Sequence, residues 1–314
     1  MPSHLYLSDL KSLYVFMMVV NCGGLSAAQI RLHMNLSSVS SHLQALEKRL
    51  GARLCSRGRS GFSVTEEGQR VYGLASEFFP SLEIFFSKVK SSNGRLSGTL
   101  RIGVSDGEVT NADFMLWNVI SEFRKIPRNE VLIEIDSSPP DRTIEQVLSG
   151  GYHVGFGHFP VVPSGLTRSP LFMERQVLYV GQLHPKFQLA SYMTLDDIEN
   201  LHFAMRAGPL PRETPDVVAR QRAAAVATTA EGRATLILSG QYVGYLPEHF
   251  ARPWLQRGLM RPVLQDDLSY TVAYHALIKE VAVRSSFLQA FLDLMPSLKP
   301  MHLQRPVRSA QLVR

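Results

Sequence analysis

Gly103-Val-Ser-Asp-Gly107 spells a nucleophile motif. A Gly-x-Ser-x-Gly segment between a strand and a helix presents its serine on a sharp turn, as in serine hydrolases. A triad needs an acid and then a histidine downstream, and His249 and His275 are available. Against this reading, no glycine-rich segment precedes the motif to form an oxyanion hole. Geometry, not a pentapeptide, makes a triad. Hydrolysis is therefore the alternative, not the main reading.

A second set of groups suits binding. Ser105 ends a β-rich segment, and Thr110-Asn111 and Thr228-Thr229 are expected to open helices. Helix N-termini carrying hydroxyls favour a carboxylate or another acceptor-rich ligand. Arg206 adds a fixed positive charge, and Phe156, His158 and Tyr245 would shape the wall of such a site. Each has a plainer reading: the threonines as caps, Phe156 and Tyr245 as core, Arg206 as a surface ion.

A third set lies in residues 25–51, which read as a short helix, a polar turn and a second helix ended by Gly51. Val39, Leu43, Leu46 and Leu50 face inward at helical spacing. The opposite face presents Ser37, Ser38, Ser41 and His42, with Asn35 or Ser37 as the cap. A helix with a small, polar leading face fits the DNA major groove. Arg57 and Arg59 sit at the glycine-bounded tip of two short strands, placed for phosphates or the minor groove.

The elements that must position these groups follow from periodicity. Residues 8–21 form an amphipathic helix stopped by Gly23-Gly24. From Glu66, the residues Val71, Ala75, Phe78, Leu82, Phe85 and Val89 make a heptad seam able to pair two chains. Pro80 predicts a bend there. Beyond a polar hinge at residues 91–98, strand and helix patterns alternate, which implies parallel sheets with crossover helices and a cleft at the strand ends.

Composition is compatible with this organisation. The 314 residues are 45% hydrophobic, and the apolar runs are too short to span a membrane. Residues 1–95 carry a net +5, the tail 299–314 a net +4 and the body between a net −3, together the formal +6. A basic block on a weakly acidic body suits a polyanion partner for that block. Cys22 and Cys55 lack metal-ligand spacing, and no Walker loop, Gly-x-Gly-x-x-Gly or His-Glu-x-x-His occurs, so no cofactor or metal is expected. The first residues lack the pattern of a secretory leader, and a cytoplasmic location is expected.

Residues 10–102 resemble the LysR-type transcriptional regulators. The frame runs through Leu10, Phe16, Ser26-Ala-Ala28, Leu32, Val39-Ser40, Leu46-Glu47, Leu50-Gly51, Leu54 and Arg57. It closes with Thr65-Glu-x-Gly68 and Gly98-Thr-Leu-Arg-Ile-Gly103. Leu148-Ser-Gly-Gly-x-x-Val-Gly-Phe and Gly240-Gln-x-Val-Gly-x-Leu-Pro247 match the family's effector domain, with His153 standing where aspartate is usual. Leu36, Ser41 and Cys55-Ser56 also depart from the pattern, which shifts phosphate contacts towards Arg31, Arg57 and Arg59. The resemblance places an effector-contacting hydroxyl at Ser105.

The fold class expected is α/β: an N-terminal winged helix-turn-helix (1–65), a linker helix (66–93) and a C-terminal two-lobed, periplasmic-binding-protein-like effector domain (94–298). Lobe I would take 94–170 and 267–298, and lobe II 171–266. A basic tail (299–314) ends the chain. The function expected is sequence-specific transcriptional regulation under a small-molecule effector, carboxylate-bearing on the cleft chemistry. Double-stranded DNA, the effector and a second copy, as homodimer or homotetramer, are the expected partners. RNA polymerase is a further candidate, and no membrane is. A pure solute-binding protein would explain the body but not the basic N-terminal block.

Overall fold

The computed structural model describes residues 7–58, 61–92, 94–280 and 284–295. Arg59, the Arg57 side chain and the basic tail lie outside the described residues. Three helices open the chain: α1 (Leu7–Asn21), α2 (Leu25–Leu32) and α3 (Leu36–Leu50). They enclose a small core of Phe16, Val19, Ala28, Val39, Leu43 and Leu46. Strands β1 (Cys55–Gly58) and β2 (Gly61–Val64) pair antiparallel, with Gly58 opposite Gly61. Glu47 ties this hairpin to α3 by accepting hydrogen bonds from the Leu54 and Cys55 amides (2.8 and 3.2 Å).

The long helix α4 (Glu66–Ser91) is capped by Thr65, whose hydroxyl accepts from the Gly68 amide at 3.0 Å. Gly68 is required for packing: a Cβ there would lie 2.1 Å from the Leu54 carbonyl oxygen. The helix continues through Pro80 as one element. Pro80 lies against Gly150, where a Cβ would meet its ring at 3.1 Å. No single helix among the described residues is long and apolar enough to cross a membrane.

The remaining elements build one nine-stranded mixed sheet. Lobe I begins with β3 (Thr99–Val104), a 3₁₀ turn (Glu108–Thr110), α5 (Leu116–Lys125), β4 (Leu132–Ser137), α6 (Pro140–Leu148) and β5 (Val154–Gly157). Strand β6 (Leu166–Gly181) then runs across the molecule, so the sequence-based lobe boundary at 170/171 falls inside a strand. Lobe II follows with α7 (Leu195–Ile198), β7 (Phe203–Arg206), α8 (Asp216–Ala219), β8 (Ala223–Ala227), α9 (Ala230–Leu238), β9 (Val243–Pro247), α10 (Glu248–Gln256), β10 (Met260–Pro262) and α11 (Gln265–Leu268). Strand β11 (Tyr270–Lys279) returns along β6 and α12 (Ser286–Asp293) packs back on lobe I.

Strand order is β4-β3-β5-β11-β6-β9-β7-β8, with the ninth strand, β10, pairing antiparallel to β6 off this path. Within each lobe the neighbours β3, β4 and β5, and β7, β8 and β9, are parallel, as alternation predicts. The crossing strands β6 and β11 are antiparallel to each other and to their flanking strands, so the sheet is mixed. Lobe I packs around Phe114, Phe123, Phe156, Phe287 and Phe291. Lobe II has cores on both sheet faces, around Phe187 and Phe203 on one and Ile237 and Phe250 on the other.

Candidate DNA-reading head and effector cleft

The reading head is set by local capping. Helix α2 ends at His33, whose backbone takes the left-handed conformation (φ 50°). Asn35 then caps α3, its Oδ1 accepting from the Ser38 amide (2.7 Å) and the Ser37 hydroxyl (2.8 Å). Such a cap contributes about 1 kcal/mol to helix stability. Ser37 and Ser41 lie exposed on the face opposite Val39, Leu43 and Leu46, and Ser38 is half-buried. That face and the helix N-terminus are free to approach a groove.

Two expected DNA contacts are placed differently. His42 turns inward, its Nδ1 3.0 Å from the Ser12 hydroxyl on α1, because the helix rotates position 42 towards the bundle. Arg31 points at the effector domain, 3.8 Å from Glu134 and 3.9 Å from Asp136. The acidic edge of β4 draws the guanidinium there. Further contacts dock the long helix on lobe I. The Arg101 amide donates to His153 Nδ1 (3.0 Å), which fixes the proton on Nε2, and Nε2 donates to Glu83 on α4 (3.0 Å). Burial holds His153 below its usual range. Burial alone would raise Glu83, but the His153 hydrogen bond and the Arg101 charge outweigh it and lower the carboxyl. Thus His153, a departure from the family pattern, joins helix to lobe.

Between the lobes lies a cleft of about 230 Å³. Five of the expected residues line it: Ser105, His158, Arg206, Thr228 and Tyr245. His158 Nδ1 donates to the Ala273 carbonyl (3.0 Å), leaving buried Nε2 without a partner among the described residues. The Tyr245 hydroxyl donates to the Leu268 carbonyl (2.6 Å), and its ring meets Tyr270 edge-on.

Four expected cleft residues do other work. Phe156 is wholly buried against Phe114, because both faces of β5 are covered. Thr110 closes the 3₁₀ turn and does not open a helix; its hydroxyl donates to the Gly107 carbonyl and contacts His249. Asn111 is buried, bonded to Glu108 and to the Asp113 amide. Thr229 caps α9. The α9 N-terminus is already met by an anion, since the Asp106 carboxylate accepts from the Ala230 amide and bridges the lobes. Ser105 Oγ donates to the Phe156 carbonyl (3.4 Å), and among the described residues no histidine hydrogen-bonds to it. The nucleophile and base of a hydrolase are therefore not assembled here.

Sequence reasoning missed much of the lining: Asp106, Glu108, Glu174, Gln176, Arg233, Tyr270 and Tyr274. Their only local signal was polar character within buried elements, such as Glu174 and Gln176 in the apolar strand β6. Arg233 donates to the Tyr245 carbonyl (3.1 Å). Burial lowers its pKa, Asp106 offsets this, and Arg206 adds like-charge repulsion. Burial pushes Tyr270 up, and the Arg206 and Arg233 charges work the other way. In the same cleft lining, burial and then the charge of Glu174 raise the Glu108 carboxyl well above the carboxylate range.

Comparison with known proteins agrees with this architecture. Residues 10–69 match the family described as bacterial regulatory helix-turn-helix protein, lysR family, and residues 93–298 match the LysR substrate binding domain. The HTH-type transcriptional activator BauR of Pseudomonas aeruginosa is 33% identical over 286 residues, covering 91% of this chain and 93% of BauR. The full-length structure of AphB, the Vibrio cholerae virulence activator, superposes with a TM-score of 0.57 at 18% identity, covering 92% of this chain and 98% of AphB. CbnR complexed with its target DNA superposes at 0.55 and 17% identity, covering 92% of this chain and 99% of CbnR. The last two show likeness of fold alone. The two family matches cover the helix-turn-helix head and the two-lobed body, and the chain belongs to the LysR family of DNA-binding transcriptional regulators, whose C-terminal domain answers to a small-molecule effector.

Proposed function

We propose that this regulator responds to a small carboxylate held by Arg206 and Arg233. The observation that carries the reading is the pairing of these two guanidiniums on one cleft wall, with neither in an ion pair among the described residues. Like charges placed together in a partly buried site are costly unless an anion lies between them. Thr228, Tyr270 and Ser105 add hydroxyls along the same cleft. Because Asp106 in lobe I clasps α9 in lobe II, a ligand spanning the cleft acts on the angle between lobes, and differential affinity for two arrangements is what regulation requires.

The reading head is assigned to Asn35, Ser37, Ser38 and Ser41 of this structure, with Arg57 and Arg59 as sequence-based phosphate contacts. Pairing is assigned to α4, which leaves Leu74, Phe78, Phe85 and Val89 exposed along its length. Two copies joined there present two heads to an inverted repeat. BauR's description as an activator supports activation as the sign of regulation.

The test combines calorimetry with DNA binding. A panel of small mono- and dicarboxylates is titrated into the protein and into R206Q, followed by footprinting upstream of the protein's own gene. The expected outcome is one carboxylate that binds the parent, loses affinity in R206Q and shifts the footprint. Equal binding by R206Q would remove the assignment. Phe85→Glu, at a site 59% exposed in the single chain, is expected to convert the oligomer to monomer in sedimentation.

A further inference from the structure

Beside the cleft, three side chains from three separate elements converge. Glu108 comes from the 3₁₀ turn of lobe I, Glu174 from the crossing strand β6 and His249 from α10 of lobe II. One ligand-type atom from each lies within 4.8 Å of the other two. Both glutamates are buried, exposed by only 4% and 8%. Each residue is also oriented from outside the trio. Glu108 Oε2 accepts from Asn111 (3.1 Å), Glu174 Oε2 accepts from Gln176 (2.6 Å), and His249 Nδ1 meets the Thr110 hydroxyl (2.8 Å).

The surrounding hydrogen bonds aim these groups at one another. The Thr110 hydroxyl donates to the Gly107 carbonyl (2.9 Å) and meets His249 Nδ1, which turns His249 Nε2 towards Glu174 Oε1 at 3.2 Å. A cation at the centre of the trio would meet one atom from each residue. Ligand atoms on a tetrahedral zinc with bonds of about 2.0–2.1 Å stand roughly 3.3 Å apart.

An independent feature points to the same place. Tyr274 on β11 is 1% exposed and lines the cleft with Glu108 and Glu174. Its hydroxyl makes no hydrogen bond of good geometry among the described residues, and Ser105 beside it donates to the Phe156 carbonyl. A buried hydroxyl of this kind is normally satisfied by a partner such as a water, an ion or a ligand.

We propose that Glu108, Glu174 and His249 form a three-ligand site for a divalent transition metal of the zinc class, with its open position towards Tyr274 and the cleft. Imidazole with carboxylates suits zinc, and an outer hydrogen bond on each ligand is the usual support of such sites. The ion joins lobe I to lobe II through Glu108 and His249, so its occupancy favours one lobe arrangement. Regulation then depends on metal supply as well as on the organic effector. The proposal stands apart from the carboxylate reading, since metal binding is measured with no effector present.

The test uses the full-length protein, stripped with chelator and titrated with zinc chloride, with magnesium chloride as the comparison ion. The expected result is one zinc per chain retained after desalting, a rise in Tm with zinc and none with magnesium. H249A and E108Q are expected to lose that zinc, while C22S keeps it. Thr110 is exposed, so T110V provides a variant that leaves the core untouched; it is expected to weaken zinc about tenfold by releasing His249. Substoichiometric zinc in the parent, or the same zinc content and affinity in H249A, E108Q and T110V as in the parent, would overturn the site.

Discussion

The reading head and the effector cleft are built on opposite principles. The head is local: Asn35, Ser37, Ser38 and Ser41 lie within seven residues, and one cap and one apolar stripe orient them. The cleft is assembled from distant segments. Glu174 meets His249 across 75 positions, and Asp106 meets Ala230 across 124. A local site can be damaged by one backbone contact, whereas a distributed site fails only where its charges fail.

The largest expected effect breaks the head and spares the cleft. Gly68→Ala places a methyl 2.1 Å from the Leu54 carbonyl, and overpacking at backbone costs about 3 kcal/mol. Denaturant unfolding should show loss of the N-terminal transition, with DNA binding abolished and ligand binding by the cleft retained. Loss of both would show that head and cleft fold as one unit. The next largest effect runs the other way. Arg206→Gln removes charge-assisted hydrogen bonds worth ~1.5–3 kcal/mol, so carboxylate affinity should fall about 10- to 100-fold by calorimetry while DNA affinity in the absence of ligand is unchanged.

A smaller change sharpens the contrast within the head. Asn35→Ala removes the α3 cap and should lower stability by about 1 kcal/mol in thermal unfolding, with weaker DNA binding because the leading turn frays. Asn35→Asp, which keeps the acceptor, should restore the stability. The smallest effect concerns the joint between the two regions. Glu83 has a folded pKa below its ordinary value, so its contribution is present above the usual carboxylate pKa and fades as pH falls through the lowered one. Unfolding measured across acid pH should therefore fall more steeply in the parent than in Glu83→Gln. Parallel pH profiles would remove Glu83 from the joint.

Legibility followed the same divide. Val39, Leu43 and Leu46 of α3, the capping Thr65 and the exposed seam residues Phe78, Phe85 and Val89 stand where spacing puts them. Leu50, expected to face inward, is instead exposed in the last turn of α3, and Ala75 of the seam is buried. His42 escaped because the polar face of a helix also borders its neighbours, and Ser12 on α1 claims it. Phe156 was misplaced because alternation cannot tell a strand with one covered face from one covered on both. Thr110 and Asn111 were misplaced because a 3₁₀ turn, not a long helix, follows Asp106-Gly107. Arg233 sat unnoticed in a helix with little amphipathic contrast, and its meaning comes from Arg206, 27 positions away in the chain.

The sequence by itself determined the order of parts, the capped polar face of α3, the apolar period of α4 and the two-lobed α/β body. These depend on periods of two, 3.6 and seven and on caps within a turn of their targets. Only the tertiary structure decided which carboxylates face which guanidiniums. It also decided that Asp106 clasps the opposite lobe, that Arg31 turns to β4, and that Glu108, Glu174 and His249 meet. Charge interactions depend on distance and burial, and a crossing strand that brings residues 108, 174 and 249 together leaves no periodic trace in the chain.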